Sequence, residues 1–370
     1  MNKLAVPYTA LSEEFKIEKS DYLATFEKVL LSGRYILGPE LEALEQEFAQ
    51  YCQSAYGIGV ASGTDALLLV LRSLHLQASD EVITAPNSYI ASASAIALAG
   101  ATPRFADICH CGNLSPEAFA VAITPNTKAV IAVHLTGRPA EMESIIRIAK
   151  ERNIFVIEDA AQAIGASLHG QKVGSWGDAA CFSFHPLKNL RAFGDGGIIV
   201  TRHKWLNVRL RQDRNQGLAT REQCDYWGFN SRLDELQAAF LRIQLRKLNE
   251  QTEKRRKLAF RYNELLRPYV EVPDEGLGEY CVYQTYVIKT MHRDALKEYL
   301  IDKGVEVLIH YPIPIHLQPA AKYLGYTQQD FPITMSHVSQ ILSLPLYPGM
   351  LESQQDYVID QIMNFYKGKS

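Results

Sequence analysis

Two residues with complementary chemistry each follow a short apolar run of the kind that forms a buried strand. Asp159 ends the run at 154–159, and Lys188 comes shortly after the run at 179–184. Because neighbouring parallel strands end at one crevice, we expect the two side chains to lie together. A carboxylate that keeps a pyridine nitrogen protonated, beside an amine that forms a Schiff base, is what pyridoxal phosphate requires. A lone lysine is more often a solvated surface residue, so the neighbouring motifs decide between the two interpretations.

A glycine-containing turn upstream predicts a phosphate-binding site. Residues 57–61 form a short apolar run, and residues 62–65 (Ser-Gly-Thr-Asp) open the apolar helix at 66–71. Glycine lets the backbone approach an anion, Thr64 offers a hydroxyl, and the helix N-terminus presents free N–H groups. The alternative is an ordinary helix N-cap. The turn lacks the Gly-Lys-Ser/Thr of a Walker loop, and no GxGxxG motif opens a helix after a strand, which argues against a dinucleotide-binding enzyme.

Several motifs occur in the order found in one enzyme family. They are Gly-Thr-Asp-Ala-Leu at 63–67, Glu-Asp-Ala-Ala-Gln at 158–162 and Phe-Ser-Phe-His-Pro-Leu-Lys-Asn-Leu at 182–190, with similar segments at 32–41 and 228–237. Through them the chain resembles the DegT/DnrJ/EryC1/StrS family, from about Ser32 to Tyr347. The resemblance implies an α/β protein of aminotransferase fold type I, with a mainly parallel central sheet flanked by helices and a smaller α+β C-terminal domain. It also implies a pyridoxal phosphate enzyme, since members mostly aminate keto sugars carried on nucleotides.

The resemblance also implies roles around the cofactor. Lys188 would be the catalytic Schiff-base lysine that also moves the proton, and Asp159 the catalytic partner of the pyridinium nitrogen. Tyr89 would stack on the ring, and Gln162 would bind its phenolic oxygen. Asn230 would reach the phosphate of the neighbouring subunit, which implies a homodimer with shared active sites. The full set of cofactor residues is Gly63, Thr64, Asp65, Tyr89, Asp159, Gln162, Ser183, Lys188 and Asn230.

For the sugar nucleotide, the resemblance points to segment 310–318 (His-Tyr-Pro-Ile-Pro-Ile-His-Leu-Gln), which would line the neighbouring subunit's pocket. Histidine and tyrosine can bond sugar hydroxyls or a diphosphate, and arginine can bind an anion through two N–H groups. The candidate substrate residues are Tyr35, His185, Arg214, His310, Tyr311 and His316. Structural alternatives stay open: a buried histidine, a surface arginine, a core aromatic at Tyr89, and helix capping by Asp159 or Asn230.

The predicted reaction transfers an amino group from L-glutamate or L-glutamine to a nucleotide-linked keto sugar, with ping-pong kinetics. Lys-Asn-Leu followed by Gly-Asp-Gly-Gly at 194–197 resembles members that act at C3 of a dTDP-linked 3-keto-6-deoxyhexose. The alternatives are a 4-keto sugar acceptor, a dehydratase with histidine in place of Lys188, a regulatory relative without turnover, and a nicotinamide-dependent oxidoreductase. Lys188 argues against the dehydratase and the regulatory relative, and the missing glycine fingerprint argues against the oxidoreductase.

Composition bounds the remaining possibilities. With 370 residues, 47% of them hydrophobic, the chain can bury one large core and a smaller lobe. A net charge of −3 gives no basic surface for nucleic acid. The N-terminus lacks the apolar stretch of a signal peptide, and no run reaches the roughly 20 apolar residues of a membrane span, so a soluble cytoplasmic protein is expected. Cys109-His110-Cys111 lacks a second ligand pair at zinc spacing, so we expect no metal, and thiols that lie in a surface loop or are buried and reduced.

Short apolar runs alternate with amphipathic helices over about residues 50–205, one helix being predicted at 140–152. Such alternation predicts a mainly parallel, doubly wound sheet with ligands at the carboxyl ends of its strands. The predicted strands lie at 81–85, 104–107, 129–134, 154–159, 179–184 and 197–201.

The pattern changes after residue 230. A long helix or a kinked pair is predicted at 231–266, with Ser231 as a plausible N-cap. Beyond it the pattern predicts strands at 281–289 and 305–311 and a helix at 293–303. We therefore predict a large cofactor-binding domain at 1–248 and a small domain at 249–370.

Overall fold

The structure, a computed structural model that describes residues 6–368, contains a seven-stranded sheet and two small sheets. Its strands are β1 (Tyr56–Val60), β2 (Glu81–Thr84), β3 (Thr102–Phe105), β4 (Thr127–Val133), β5 (Phe155–Asp159), β6 (Ser167–Leu168), β7 (Gln171–Lys172), β8 (Ala179–Ser183), β9 (Gly197–Thr201), β10 (Glu279–Tyr280), β11 (Tyr286–Lys289) and β12 (Ile341–Leu344). Its α-helices are α1 (Leu11–Ser32), α2 (Pro39–Tyr51), α3 (Gly63–Ser73), α4 (Ala91–Leu98), α5 (Pro116–Ala122), α6 (Met142–Glu151), α7 (Lys204–Asp213), α8 (Glu235–Leu245), α9 (Leu248–Leu266), α10 (Arg293–Asp302), α11 (Pro332–Gln340) and α12 (Glu352–Lys367).

The large sheet has the strand order β1-β9-β8-β5-β4-β2-β3. Every neighbouring pair is parallel except the two that involve β9, which is antiparallel to both β1 and β8. The expected mainly parallel α/β sheet is therefore confirmed. Because β1, β5 and β8 run in the same direction, they end at one edge of the sheet, and β9 begins at that edge.

Both faces of the sheet are buried, as continuous apolar strands require. In β9, Ile198 and Val200 pack with Phe182 against α2 and α8, whereas Ile199 faces the opposite side with Ile58, toward α3 and α7. Full burial of each such side chain contributes about 1.5–3 kcal/mol relative to exposure. These layers hold the carboxyl edge of the sheet in place.

The C-terminal part of the chain has its own apolar cluster. β11 and β12 pair antiparallel, and α9, α10 and α12 pack with them. Tyr262 of α9 and Tyr286 of β11 are fully buried with ring centroids 4.9 Å apart. The Tyr286 hydroxyl donates to Asn263 Oδ1 at 2.7 Å, so its polar end is satisfied inside the core.

Several predicted elements are confirmed and one boundary is wrong. The strand at Gly197–Thr201 has the predicted bounds, and the kinked-pair alternative describes α8 and α9. Ser231, however, is not the N-cap, because α8 begins at Glu235 after Asp234. The Ser231 hydroxyl instead donates to Asp65 Oδ2 at 2.6 Å, which joins this segment to the start of α3.

The predicted strand at 305–311 is wrong. Only isolated bridges occur there, Val305 with Val6 and Leu308 with Ser343. The strand predicted at 281–289 is confined to its last four residues, because Tyr283 has a positive φ of 45° and turns the chain. Apolar composition indicated burial at both places, but burial alone does not supply a pairing strand.

The cysteine segment also differs from expectation. Cys109 and Cys111 form a disulfide, so the prediction of reduced thiols is wrong for this pair. Among residues 6–368, no group of three or more His, Cys, Asp or Glu side chains is placed to hold a metal ion. No helix in the same range is both long enough and apolar enough to cross a membrane.

Candidate active site

Several segments meet at the carboxyl edge of the large sheet. β1, β5 and β8 end there, and Gly197 at the start of β9 lies opposite both Val60 and Ser183. A cavity of about 390 Å³ opens at this edge. The predicted residues that line it are Gly63, Thr64, Tyr89, Asp159, Gln162, Ser183, His185, Lys188, His310 and Tyr311. The topology thus brings together most of the predicted site.

Lys188 lies on the cavity wall in the loop that follows β8. Its backbone N–H donates to the carbonyl of His185 at 2.8 Å, which closes a turn. Burial lowers the pKa of the Lys188 amine to about 8, although the Asp159 carboxylate acts in the opposite direction. Much of the amine is therefore neutral near pH 8, and the neutral amine is the form that attacks a carbonyl or removes a proton.

Asp159 is buried at the end of β5, and two donors hold its carboxylate. Ser92 Oγ donates to Oδ2 at 2.8 Å, and the Ala161 N–H donates to Oδ1 at 3.3 Å. Burial raises the pKa of Asp159, whereas these hydrogen bonds and the Lys188 charge lower it. The donors therefore oppose protonation and fix the orientation of the carboxylate toward the cavity.

Sequence reasoning missed Ser92. It lies in α4, fully buried, and its Oγ is 3.1 Å from the Oγ of Ser88, which precedes the helix. The available signal was a pair of hydroxyls four residues apart, one just before and one inside an alanine-rich stretch. A buried hydroxyl needs a partner, and here that partner is the site carboxylate.

The predicted phosphate cradle has the expected construction. Ser62 caps α3 by accepting the Asp65 N–H at 3.0 Å, and the first turn of the helix faces the cavity. A Cβ atom at Gly63 would lie only 2.7 Å from the Cβ of Ser183, so only glycine permits this approach of α3 to β8. Free N–H groups at a helix N-terminus, beside the hydroxyls of Thr64 and Ser183, can bind an anion.

A polar and aromatic wall faces the lysine. Gln162 Oε1 accepts the Thr136 N–H at 2.7 Å, and Gln162 Nε2 donates to the Tyr311 hydroxyl at 3.1 Å. The rings of Tyr311 and Tyr89 have centroids 5.5 Å apart, and Tyr89 is half-exposed. Tyr89 is therefore available for stacking on a planar ligand, and the core-aromatic alternative does not describe it.

His310 and Tyr311 line the cavity of their own chain. In this chain the segment lies beside its own Lys188, and the expectation that the loop lines the neighbouring subunit's pocket stays a prediction. His310 Nδ1 lies 2.8 Å from Ser343 Oγ. Burial, assisted by the Lys188 charge, lowers the pKa of His310 to about 4, so its ring is neutral at physiological pH.

Glu158, the acid next to Asp159, has a different environment. Its carboxylate is fully buried and accepts the N–H groups of Gly174, Trp176 and Gly177 at 2.8–3.0 Å. His134 Nε2 lies 3.0 Å from Glu158 Oε2, and His134 Nδ1 accepts the Ala140 N–H, which assigns the ring proton to Nε2. Since successive strand residues face opposite sides, only Asp159 faces the cavity.

Arg214 is not a substrate residue. It is buried at 5% exposure, and its Nη1 donates to Glu45 Oε1 and to the Gly59 carbonyl, the latter at 2.8 Å. This ion pair joins the end of α7 to α2 and β1, and Arg214 is not among the residues that line the cavity. The surface-arginine alternative is equally wrong, because the guanidinium is inside the protein.

Three further predicted residues lie outside the cavity. His316 is 2% exposed and packs on Phe331 with ring centroids 4.8 Å apart, so its predicted substrate contact is wrong. Tyr35 is half-exposed and donates to the Leu30 carbonyl at 3.1 Å, beside a separate surface groove. Asn230 is exposed and does not line the cavity of its own chain.

Together, the fold and the cavity define the class of protein. A lysine with a lowered pKa, a buried carboxylate, a helix N-terminus for a phosphate and a free aromatic face are the groups that pyridoxal phosphate needs. Lys188, Asp159, α3 and Tyr89 supply them in one cavity. The residues present therefore fit this cofactor.

The comparisons with known proteins agree. The model of the DegT/DnrJ/EryC1/StrS aminotransferase family matches residues 16–363. The chain is 41% identical to a pleiotropic regulatory protein of Geobacillus stearothermophilus, covering 98% of this chain and 99% of that protein. It is 40% identical to dTDP-3-amino-3,4,6-trideoxy-alpha-D-glucose transaminase of Streptomyces venezuelae, covering 96% and 95%. The chain belongs to the DegT/DnrJ/EryC1/StrS aminotransferase family.

Solved structures lead to the same class. DesV of Streptomyces venezuelae, in complex with a ketimine intermediate, is 40% identical and superposes with a TM-score of 0.95, covering 97% of this chain and 98% of that chain. NtdA of Bacillus subtilis, with bound pyridoxamine phosphate, is 32% identical with a TM-score of 0.92, covering 99% and 86%. The protein is a pyridoxal phosphate-dependent aminotransferase.

Proposed function

We propose that the enzyme transfers the amino group of L-glutamate or L-glutamine to C3 of a dTDP-linked 3-keto-6-deoxyhexose. The observation that carries this proposal is the cavity shared by Lys188 and Asp159, in a chain 40% identical to a dTDP-3-amino sugar transaminase. The Gly-Asp-Gly-Gly segment at 194–197, between the lysine loop and β9, supports action at C3. Ping-pong kinetics follow, because donor and acceptor use the same cavity in turn.

Each residue has a task in such a transfer. When bound, pyridoxal phosphate supplies the electron-accepting ring that carries the amino group between the two substrates. Lys188 Nζ removes and returns the proton at the carbon that bears nitrogen, for which a pKa near 8 is well matched. Asp159, held by Ser92, places a negative charge at the ring nitrogen. The first turn of α3 and the Ser183 hydroxyl bind the phosphate.

The rival functions make different predictions. A relative with 41% identity is named a pleiotropic regulatory protein, which keeps a regulatory role as a second candidate. Lys188 and its lowered pKa favour turnover, since a nearly neutral amine can remove and return a proton as well as bind the cofactor. A 4-keto sugar acceptor would use the same residues and differ only in the position that receives nitrogen.

A labelled-donor screen tests the proposal. The purified protein, loaded with pyridoxal phosphate, is incubated with ¹⁵N-glutamate or ¹⁵N-glutamine and with dTDP- and UDP-linked 3-keto and 4-keto sugars. Mass spectrometry detects the labelled amino sugar, and NMR locates the nitrogen, which we expect at C3. Lys188→Ala serves as the inactive control. Label at C4 would replace the proposed acceptor, and no label with any sugar, despite bound cofactor, would favour the regulatory role.

We also propose that the enzyme is a homodimer in which Asn230 contacts the cofactor phosphate of the partner. Asn230 is exposed and is not among the residues that line its own cavity, which supports a role outside its own chain. Trp227, three residues earlier, is 91% exposed, and Leu31 is 81% exposed. Large apolar side chains at this exposure are typical of surfaces that a second subunit covers. Sedimentation of the purified protein tests the dimer, and a monomer would contradict it.

The division into domains at 1–248 and 249–370 is a further proposal. α9 begins at Leu248, and the C-terminal apolar cluster consists of residues from Ala259 onward together with Val6. A proteolytic cut confined to the segment near residue 248 would support this boundary, whereas early cleavage elsewhere would move it.

A further inference from the structure

Arg255 is a buried cation in the wall of the active-site cavity. It lies in α9 at 6% exposure and lines the same cavity as Lys188. Its Nη1 donates to the carbonyls of Leu346 at 2.9 Å and of Tyr283 at 3.4 Å. Within residues 6–368 no carboxylate pairs with Arg255, and Nη2 and Nε donate to no group. A buried charge without a counter-ion is strongly disfavoured, so we expect this edge of the guanidinium to bind an anion.

The other charges that line the cavity are already compensated. Arg191 forms an ion pair with Glu14, and Lys188 lies close enough to Asp159 for each to shift the pKa of the other. Asp195 also lines the cavity, but it is solvent-exposed, where water screens its charge. Arg255 is thus the buried charge among the described lining residues that lacks a partner.

The position of Arg255 connects it with the reacting end of the cavity. Tyr8 lines the cavity and lies within electrostatic range of Arg255, and Thr285 and Ser343 lie close enough to its hydroxyl to lower its pKa, against the larger effect of burial. Ser343 also contacts His310 beside Lys188. Burial, assisted by the Arg191 charge and opposed by Tyr8, lowers the pKa of Arg255 to about 9. An anion bound here would therefore lie on the wall next to the lysine and restore the full charge of the guanidinium.

We propose that Arg255 binds a carboxylate of the amino-acid donor through its free Nη2–Nε edge. The inference rests on the proposed function, which supplies an amino acid as the donor. One guanidinium edge matches one carboxylate through two parallel hydrogen bonds. A nucleotide diphosphate fits less well, because one guanidinium edge pairs with one anionic group and leaves the second phosphate without a partner here. Arg255 is accordingly a specificity residue for the donor.

Binding of unreactive anions tests this assignment. Glutarate, a dicarboxylate without an amine, and inorganic pyrophosphate are titrated into the cofactor-loaded enzyme by calorimetry. In Arg255→Gln, the Kd of glutarate is expected to rise on the order of 10- to 100-fold, the usual effect of losing hydrogen bonds to a charged group, with pyrophosphate binding unchanged. Lys257→Gln, which removes an exposed positive charge two residues away on the same helix, leaves both affinities unchanged.

Three outcomes overturn the proposal: unchanged glutarate binding, loss of pyrophosphate binding alone, and equal weakening of both ligands together with a lower Tm. The last would show that Arg255 only holds the Tyr283 and Leu346 carbonyls. If Arg255→Gln does not fold, Arg255→Lys replaces it. That variant keeps the charge but not the paired donors, so glutarate binding should weaken about tenfold, and unchanged binding contradicts the assignment.

Kinetics separate this inference from the proposed function. In Arg255→Gln, the KM for glutamate should rise while the KM for the keto sugar stays near that of the unmodified enzyme. The glutarate titration needs neither sugar nor turnover. If no keto sugar is aminated yet glutarate binding depends on Arg255, the acceptor assignment fails and the carboxylate site stands. If a sugar is aminated and the Kd of glutarate is unchanged in Arg255→Gln, only this inference fails.

Discussion

Replacing Arg214 by methionine should destabilise the protein without a direct effect on substrate binding. The side chain is buried and pairs with Glu45, so its removal leaves a carboxylate of 3% exposure without its main partner. Breaking a buried pair costs about 3–5 kcal/mol. Arg211 still reaches Glu45 Oε2 at 2.9 Å, and the Gly59 N–H still donates to Oε1 at 2.9 Å. We therefore expect the low end of that range, about 3 kcal/mol.

Urea denaturation followed by tryptophan fluorescence measures this loss. A second variant, Glu45→Gln with Arg214→Met, removes the unpaired charge and should recover about half of the lost stability. Comparison of the two variants in a double-mutant cycle measures the interaction between the two residues. Arg267→Met, which breaks an exposed pair with Asp274, is the control and should leave the midpoint unchanged. A loss below about 1 kcal/mol in Arg214→Met, accompanied by a higher KM for the sugar, would refute the structural role and restore a substrate role.

Four further predictions concern the cavity. The rate at which the cofactor-free protein captures pyridoxal phosphate covalently should rise with pH around a midpoint near 8, because the lowered pKa of Lys188 makes its amine neutral above that pH. Stopped-flow absorbance measures this rate, and a midpoint above 10 would contradict the prediction. Asp159→Asn should lower kcat by about 100-fold or more, while circular dichroism shows that the fold is retained. A near-normal rate would mean that another group contacts the ring nitrogen. Ser92→Ala should lower kcat/KM about tenfold and most at acid pH, since the pKa of Asp159 rises further; Ser94→Ala, on the same helix, is the control. Mixing inactive Lys188→Ala and Asn230→Ala chains should restore about a quarter of the wild-type activity per site, and no recovery in proven hybrids would remove the cross-subunit contact.

The residues nearest the chemistry were the most predictable from sequence. Asp159 ends an apolar run, and Lys188 and the turn before α3 come soon after one, so the local pattern sufficed to place them near a strand end. The order of these motifs then predicted the fold class, because a chain that alternates strands and helices can adopt few topologies. Their roles stay predictions until the variants above are measured.

Residues whose environment depends on distant partners were not predictable. Arg214 resembled an anion-binding residue until the structure placed Glu45, far away in sequence, against it. His316 belongs to a loop rich in polar groups, yet Phe105 and Phe331 enclose it. Ser92 lies in an alanine-rich stretch, and its importance comes from its hydrogen bond to Asp159, 67 residues away in sequence. One-dimensional spacing contains no information on such pairings.

The insertion of β9 between β1 and β8 has a consequence for how the protein acquires activity. The cradle at the end of β1 and the lysine loop after β8 are held side by side only once β9 has paired with both. The pairing of β1 with β9 joins distant parts of the chain, so its loop-closure entropy makes it slow to form. Cofactor binding should therefore appear late during refolding and report completion of the sheet. Excess cofactor would in turn stabilise the finished sheet by mass action, by about 2.7 kcal/mol at a hundredfold excess over its Kd.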